Sequence, residues 1–379
     1  GAETILLNQA RTLVQRGYKV SVLTSVLGDG LETDSEVFGI TVYRRRYVDP
    51  LKSYDRNEIE ESVTTILEQA QPDIAHFHNG SYPSGGLFKG IGAETIKILF
   101  ETIHATGVHM IEHAHNAQLK GTEETKVLRD LPWDRVLCVS QFVKDEWLKL
   151  GTAAKDLTVV YNGIDLQRFE NIAPAAPMVA ARGDNRVVLF CPARMVSLTS
   201  GTLNKQKNIA LILDALVLLK QKGITNFVLV AIANEALDTG TNAAITLLAP
   251  AINERGLEDH VVLLPIIDPD LMPAYYAGSD ILSVPAVNET FGLMYLEAMA
   301  SKKVAIASNT GGPREYIHNG ENGYFVDTEH PQELATVLEN LISNPSLREQ
   351  IGEAGYQSAQ EFTIEKMVDG IEQVYANLE

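Results

Sequence analysis

From Glu3 to Arg16 apolar residues recur at helical spacing, and the chain then switches to the short β-rich run Val20-Ser21-Val22-Leu23-Thr24. The same change of period returns around Asp73 to His78 and Arg135 to Val139. That rhythm predicts a parallel sheet with helical crossovers. Between Glu170 and Asn185 the composition turns to Ala, Pro and Gly with few large apolar side chains, which predicts a connector between domains. A second series follows, with strands expected over Val187 to Cys191, Phe227 to Ile232 and Val261 to Leu264, and helices over Asn208 to Gln221 and Ala243 to Glu254. The expected organisation is an α/β domain over 1–170, a second over 171–362, and a last helix, Thr363 to Leu378, within 363–379. Two doubly wound, Rossmann-like domains facing a central cleft would bring strand-end loops of both to one ligand, because such sheets bind at the carboxyl ends of their strands.

Composition narrows the partners. The 379 residues allow each domain its own core, and the 45% hydrophobic content is that of an ordinary globular protein. A net charge of −18 argues against nucleic acid and against general adhesion to anionic lipid, with peripheral membrane contact left open. No apolar run approaches the length of a membrane span, and no signal peptide is visible at the start. Cys138 and Cys191 each fall inside an apparent buried strand, so core thiols are expected rather than a disulfide or metal ligands. A reducing, cytoplasmic setting fits that reading. If the ligand is a pyrophosphate, so acidic a chain needs cations placed locally.

The chemistry concentrates in Asn288-Glu289-Thr290-Phe291-Gly292-Leu293-Met294-Tyr295-Leu296-Glu297-Ala298-Met299-Ala300. The strand-forming run Ile281-Leu282-Ser283-Val284-Pro285 ends just before it, and Leu293, Leu296 and Met299 recur at helical spacing, so a turn is expected to open a helix here. Glu289 would sit at the helix mouth and Glu297 about 12 Å further along the axis. That span is comparable to the distance from sugar to ribose in a nucleotide-diphosphate sugar. The amides of Phe291, Gly292 and Leu293 would point between the two acids, where a helix N-terminus favours phosphate.

At these residues the chain resembles the paired-glutamate motif of the retaining glycosyltransferases of family 4, which have the two-domain GT-B fold. Gly311-Gly312-Pro313-Arg314-Glu315-Tyr316-Ile317 and Asn322-Gly323-Tyr324-Phe325-Val326 resemble the loops that follow that motif, and Val160-Tyr161-Asn162-Gly163-Ile164-Asp165 resembles the entry to the interdomain linker. His113-Ala114-His115-Asn116 resembles a histidine motif common in polysaccharide-building members. The match is strongest in the C-terminal half. It implies that the last helix packs back on the N-terminal domain. It also implies a first strand and a glycine pair before Ala2-Glu3-Thr4, so upstream residues are expected beyond Gly1.

The resemblance further implies roles. Glu289 would orient the donor sugar, Glu297 would clamp the ribose hydroxyls, and Arg194 and Lys207 would carry the phosphates. Gly1, Thr290, Phe291, Gly292 and Leu293 would complete the donor site, with base recognition by backbone at Pro265-Ile266-Ile267. The loop Met195 to Gln206 is longer than usual in the family, and Lys205 competes with Lys207. Lys207 is preferred because Ile209, Ile212, Ala215 and Leu216 are in register with it. His113 and His115 lie on or just after the run Val108 to Ile111, one pointing each way if the strand continues. His115 is expected to touch the sugar, with His113 second, and His76 and His78 are acceptor-side candidates.

Three signals are set aside. Asp268-Pro269-Asp270 looks like a metal-binding acidic pair but precedes a helix with no further ligand nearby, as an N-terminal turn would. Gly85-Gly86 and Gly90-Ile91-Gly92 do not form a dinucleotide fingerprint, and Asn79-Gly80-Ser81 is a glycosylation sequon without meaning in a cytoplasmic chain. The expected protein is thus a metal-independent, retaining hexosyltransferase without a cofactor. Its donor is a nucleotide-diphosphate sugar such as UDP-glucose, and its acceptor a saccharide or lipid-linked saccharide for envelope or exopolysaccharide. The alternatives are a nucleotide-sugar epimerase of the same fold and an inactive sugar-nucleotide-binding module.

Overall fold

The sequence alternation becomes two compact units in the computed structural model, which describes residues 2–26, 32–48, 55–79, 93–117, 123–193, 196–197, 202–233 and 243–378. One unit comprises Gly1–Gly163 with Ile364–Glu379, and the other Ile164–Thr363. The chain therefore passes between them at 163/164 rather than at 170. The predicted connector lies inside the second unit, where Ala176–Arg182 forms a short helix with Met178 and Ala181 buried. Ala175 N–H donates to the Ala274 carbonyl at 2.9 Å. Small side chains here let backbone pack on backbone, which in the sequence looks the same as the low apolar content of a linker.

The first unit holds two sheets. Strands β1 (Val20–Ser25), β2 (Thr33–Val37) and β3 (Ile40–Arg45) form one, with β3 central, parallel to β1 and antiparallel to β2. The antiparallel strand departs from the expected all-parallel pattern. Thr33-Asp34-Ser35-Glu36-Val37 has no apolar run to announce a strand; it is held by the β2–β3 hairpin, whose two turn residues Phe38 and Gly39 both have positive φ (53° and 75°). Asp34 and Arg45 add an ion pair at 2.6 Å. Strands β4 (Ile74–His78), β5 (His109–Ala114), β6 (Arg135–Cys138) and β7 (Leu157–Val159) form a second, fully parallel sheet in sequential order. The closing helix Ile364–Tyr375 belongs to this unit, burying Met367, Val368, Ile371 and Val374 at helical spacing. Arg16, just past the opening helix Ala2–Gln15, ties it down through ion pairs with Asp369 and Glu372.

In the second unit β8 (Val187–Cys191) is followed by the two-residue strands β9 (Val196–Ser197) and β10 (Thr202–Leu203), then β11 (Phe227–Ile232), β12 (Val261–Leu264), β13 (Ile281–Ser283), β14 (Val304–Ser308) and β15 (Tyr324–Val326). Six of these make one parallel sheet in the order β12-β11-β8-β13-β14-β15. Every residue of β8, β11, β13 and β14 is buried, which is why they read as near-continuous apolar runs, broken only by the terminal Ser283 and Ser308, instead of alternating ones. Cys138 and Cys191 are buried thiols outside any disulfide, pushed up to about 12 by desolvation. Strand order reverses between β8 and β13, so the loops leaving these two neighbours diverge and open the crevice where α/β sheets hold ligands. No helix among the described residues is long and apolar enough to cross a membrane.

Candidate functional site

The loop leaving β13 carries Glu289, and its shape is fixed by backbone approach rather than by helix formation. The helix begins only at Leu293, running to Ala300. Glu289 therefore lies in the turn ahead of it, and the spacing expected from helical rise between Glu289 and Glu297 does not apply. Three contacts hold the turn: Gly312 N–H donates to the Glu289 carbonyl at 2.8 Å, and the Tyr316 hydroxyl donates toward the carbonyls of Phe291 and Gly292 at 2.6 and 3.0 Å. A Cβ on Gly311 would stand 2.2 Å from the Glu289 carbonyl oxygen, and one on Gly312 2.1 Å from that of Thr290. Only glycine lets the two segments touch. Phe291 is 2% exposed, its ring packed on Tyr316 and Phe362, so its side chain serves the core. The Gly292 and Leu293 amides make no hydrogen bond to another described residue.

The turn before the helix Ile209–Gln221, beyond neighbouring β8, presents Lys207. Its Nζ lies 2.6 Å from Glu289 Oε2, with the two side chains 18% and 14% exposed. Backbone joins the turns as well, since Val287 N–H donates to the Gln206 carbonyl at 2.8 Å. Asn204 Oδ1 accepts from the Gln206 and Lys207 amides at 3.0 and 3.3 Å, shaping the tip that aims Lys207. Lys205 is exposed. Arg194 and Gly1 lie outside the described residues.

Glu297 stands on the helix Leu293–Ala300 and accepts a hydrogen bond from the Tyr276 hydroxyl at 2.7 Å. Desolvation by burial raises its carboxyl above the usual range, opposed by that bond. Tyr276 belongs to the helix Met272–Gly278. Its apolar setting hides its role in the sequence, as no local pattern links it to Glu297. Tyr316 was visible as part of a motif, but its bonds to the turn were not. Pro265 and Ile266 are exposed just beyond β12, while Ile267 is buried. Asp268 and Asp270 form a local turn, with Asp270 N–H donating to Asp268 Oδ1 at 2.9 Å, and Arg168 pairs with the 90%-exposed Asp270 at 3.1 Å. The Gly85-Gly86 and Gly90-Ile91-Gly92 segments, and Gly80 and Ser81 of the sequon, lie outside the described residues.

The four candidate histidines, His76, His78, His113 and His115, gather in the first unit. His78 is in register with His113 across β4 and β5, His76 lies two residues before His78, and His115 two residues after His113. The expectation that His113 and His115 point opposite ways is corrected: residues two apart in a strand share a face. Their rings stack with centroids 4.4 Å apart. His78 Nδ1 lies 3.0 Å from His115 Nε2, and His76 Nδ1 is 2.7 Å from the Tyr375 hydroxyl and 3.2 Å from the Gln9 amide. Burial lowers all four, His78 to about 4 and the others well below the usual range, so the imidazoles are neutral at pH 7.

Comparison with known proteins covers both units. Residues 1–168 match the model for Glycosyltransferase Family 4, and residues 189–358 that for Glycosyl transferases group 1. A D-inositol 3-phosphate glycosyltransferase of Rhodococcus jostii is 23% identical, over 99% of this chain and 84% of that protein. Among solved structures, HepE of Anabaena in complex with UDP and glucose is similar at a TM-score of 0.75 and 18% identity, covering 100% of this chain and 96% of that one. A sucrose-phosphate synthase of Thermosynechococcus elongatus reaches 0.78 at 17% identity, covering 100% and 93%. With family models matched in both units, a relative aligned over almost the whole length and a shared two-domain fold, the chain belongs to the family 4 glycosyltransferases of the GT-B type.

Proposed function

We propose that the chain moves a hexose from a nucleotide-diphosphate sugar, UDP-glucose as the first choice, to a saccharide or lipid-linked saccharide, with retention and without a divalent metal or cofactor. The observation that carries this reading is the Lys207–Glu289 pair at the strand-order switch of the second unit. An ammonium ion placed there can stabilise the charge that grows on a departing diphosphate. The partnered carboxylate can accept hydrogen bonds from sugar hydroxyls, holding the anomeric carbon for attack. The Gly292 and Leu293 amides, at the start of a helix, add a positive partial charge suited to phosphate. Glu297, with Tyr276 already on one oxygen, keeps acceptor capacity for a ribose diol. The choice of UDP is supported by the UDP and glucose in the Anabaena neighbour, and the polysaccharide acceptor by the histidine motif.

A thermal-shift panel of UDP, GDP, ADP and their glucose conjugates tests the donor, because a ligand that binds only the folded state raises the melting temperature with its concentration. UDP and UDP-glucose are expected to give the largest shifts; a guanine or adenine preference would overturn the choice of base. Glu297→Ala is expected to weaken UDP about 10- to 100-fold, the effect of losing hydrogen bonds to a charged acceptor. Since acceptance from a diol needs the carboxylate, UDP affinity should fall as pH drops through the raised Glu297 range and hold above it. Unchanged UDP binding in Glu297→Ala would remove this residue from the donor site. The anomeric configuration of the product, read by NMR, decides retention.

A further inference from the structure

The histidine cluster has more ring nitrogens than the described residues satisfy. His113 is 0% exposed, and neither of its ring nitrogens has a hydrogen-bond partner among the described residues; buried His76 Nε2 lacks one too. Leaving such an atom dry and unpaired costs about 1–3 kcal/mol. One ring nitrogen each from His76, His78 and His113 lie within 4.8 Å of one another. We propose that His76, His78 and His113 bind one divalent transition-metal ion of the zinc class. This site lies wholly in the first unit and is separate from the metal-free diphosphate chemistry proposed for the second.

The donor set selects the ion. Three imidazoles and no carboxylate suit zinc, copper or nickel rather than magnesium or calcium. Ligand nitrogens around tetrahedral zinc stand about 3.4 Å apart, given bonds of about 2.0–2.1 Å, so binding requires side-chain rotations that close the 4.8 Å spread by up to about 1.4 Å. Protons are a poor substitute for the ion, because imidazolium rings 4.8 to 5.2 Å apart would repel in a dry site.

The surroundings supply the outer partners that metal-bound histidines use to fix their tautomer. His115 Nε2 can accept from His78 Nδ1–H at 3.0 Å, which leaves the other nitrogen of His78 with its lone pair. The Tyr375 hydroxyl can accept from His76 Nδ1–H at 2.7 Å. Gln9 Oε1 has no partner among the described residues, and turning that amide over brings an acceptor to the same proton. A neutral triad leaves the ion both of its positive charges and an open fourth position for water or an anionic oxygen. No spacing in the sequence reveals this set, since two ligands come from β4 and the third meets them only through strand pairing.

The test uses the full chain, dialysed against a chelator, returned to metal-free buffer and titrated separately with Zn²⁺ and Co²⁺. One equivalent should bind, and Co²⁺ should develop the intense visible absorption of a four-coordinate nitrogen site. His113→Ala should abolish uptake, and Tyr375→Phe, which removes only an outer acceptor, should weaken it by about 10-fold or more while far-UV dichroism stays unchanged. If His113→Ala fails to fold, the Tyr375→Phe titration decides. Absence of stoichiometric uptake by the folded wild type, undiminished uptake in a folded His113→Ala, or undiminished uptake in Tyr375→Phe overturns the site.

Discussion

Lys207→Ala should lower kcat/KM by roughly 30- to 1,000-fold, the loss of about 2–4 kcal/mol expected when one preorganised charge is withdrawn from a developing oxyanion. The Lys207–Glu289 pair is largely withdrawn from water, so deleting either partner also leaves a poorly solvated opposite charge. Glu289→Gln should therefore reduce turnover far more than UDP affinity, and the double variant should fall short of the product of the single losses. Strict multiplicativity in that cycle would mean that the two groups act independently. On the proposed reading, in which the ammonium and the helix amides offset the diphosphate charge, turnover should not change when Mg²⁺ and Mn²⁺ are removed or restored. If either hard ion is required, a metal supplies the stabilisation instead, and wild-type turnover in Lys207→Ala would dismiss the lysine altogether.

Gly312→Ala should be nearly inactive and less stable by about 3 kcal/mol or more, among the larger effects a single methyl can have. The added carbon would meet the Thr290 carbonyl oxygen at 2.1 Å and its carbonyl carbon at 2.8 Å, backbone atoms that no side-chain rotation can move aside. Relief requires the Glu289 turn to shift, breaking the 2.8 Å bond from Gly312 N–H and misplacing the carboxylate against Lys207. Gly320→Ala is the control: its φ of +78° strains alanine by about 1–2 kcal/mol, but nothing stands within 4 Å of the new carbon. Equal melting temperatures and equal turnover for Gly312→Ala and Gly320→Ala would show that the close approach does not shape the site.

The alternation of periods was enough to predict two α/β halves, because a strand buried on both faces must be apolar throughout and a crossover helix must be apolar on one side. β8, β11 and β12 begin and end where that logic put them. The glutamate turn was legible for a related reason, since a strand, a turn and an apolar helical stripe follow one another locally. What sequence could not decide was set by contacts between distant segments. β2 carries no apolar run and exists through its pairing with β3. The Ala- and Pro-rich stretch near 176 looked like a linker and is a packed helix, since low apolar content suits close backbone approach as well as exposure. Gly311 and Gly312 could be read as a motif, but the reason for glycine is the Glu289–Thr290 backbone lying against them. Tyr276 reaches Glu297, and His113 reaches His76 and His78, only after helices and strands have packed. Periodicity along a chain records which side of each element meets the core. It does not record which polar groups from separate elements meet each other, and those meetings are set by packing alone.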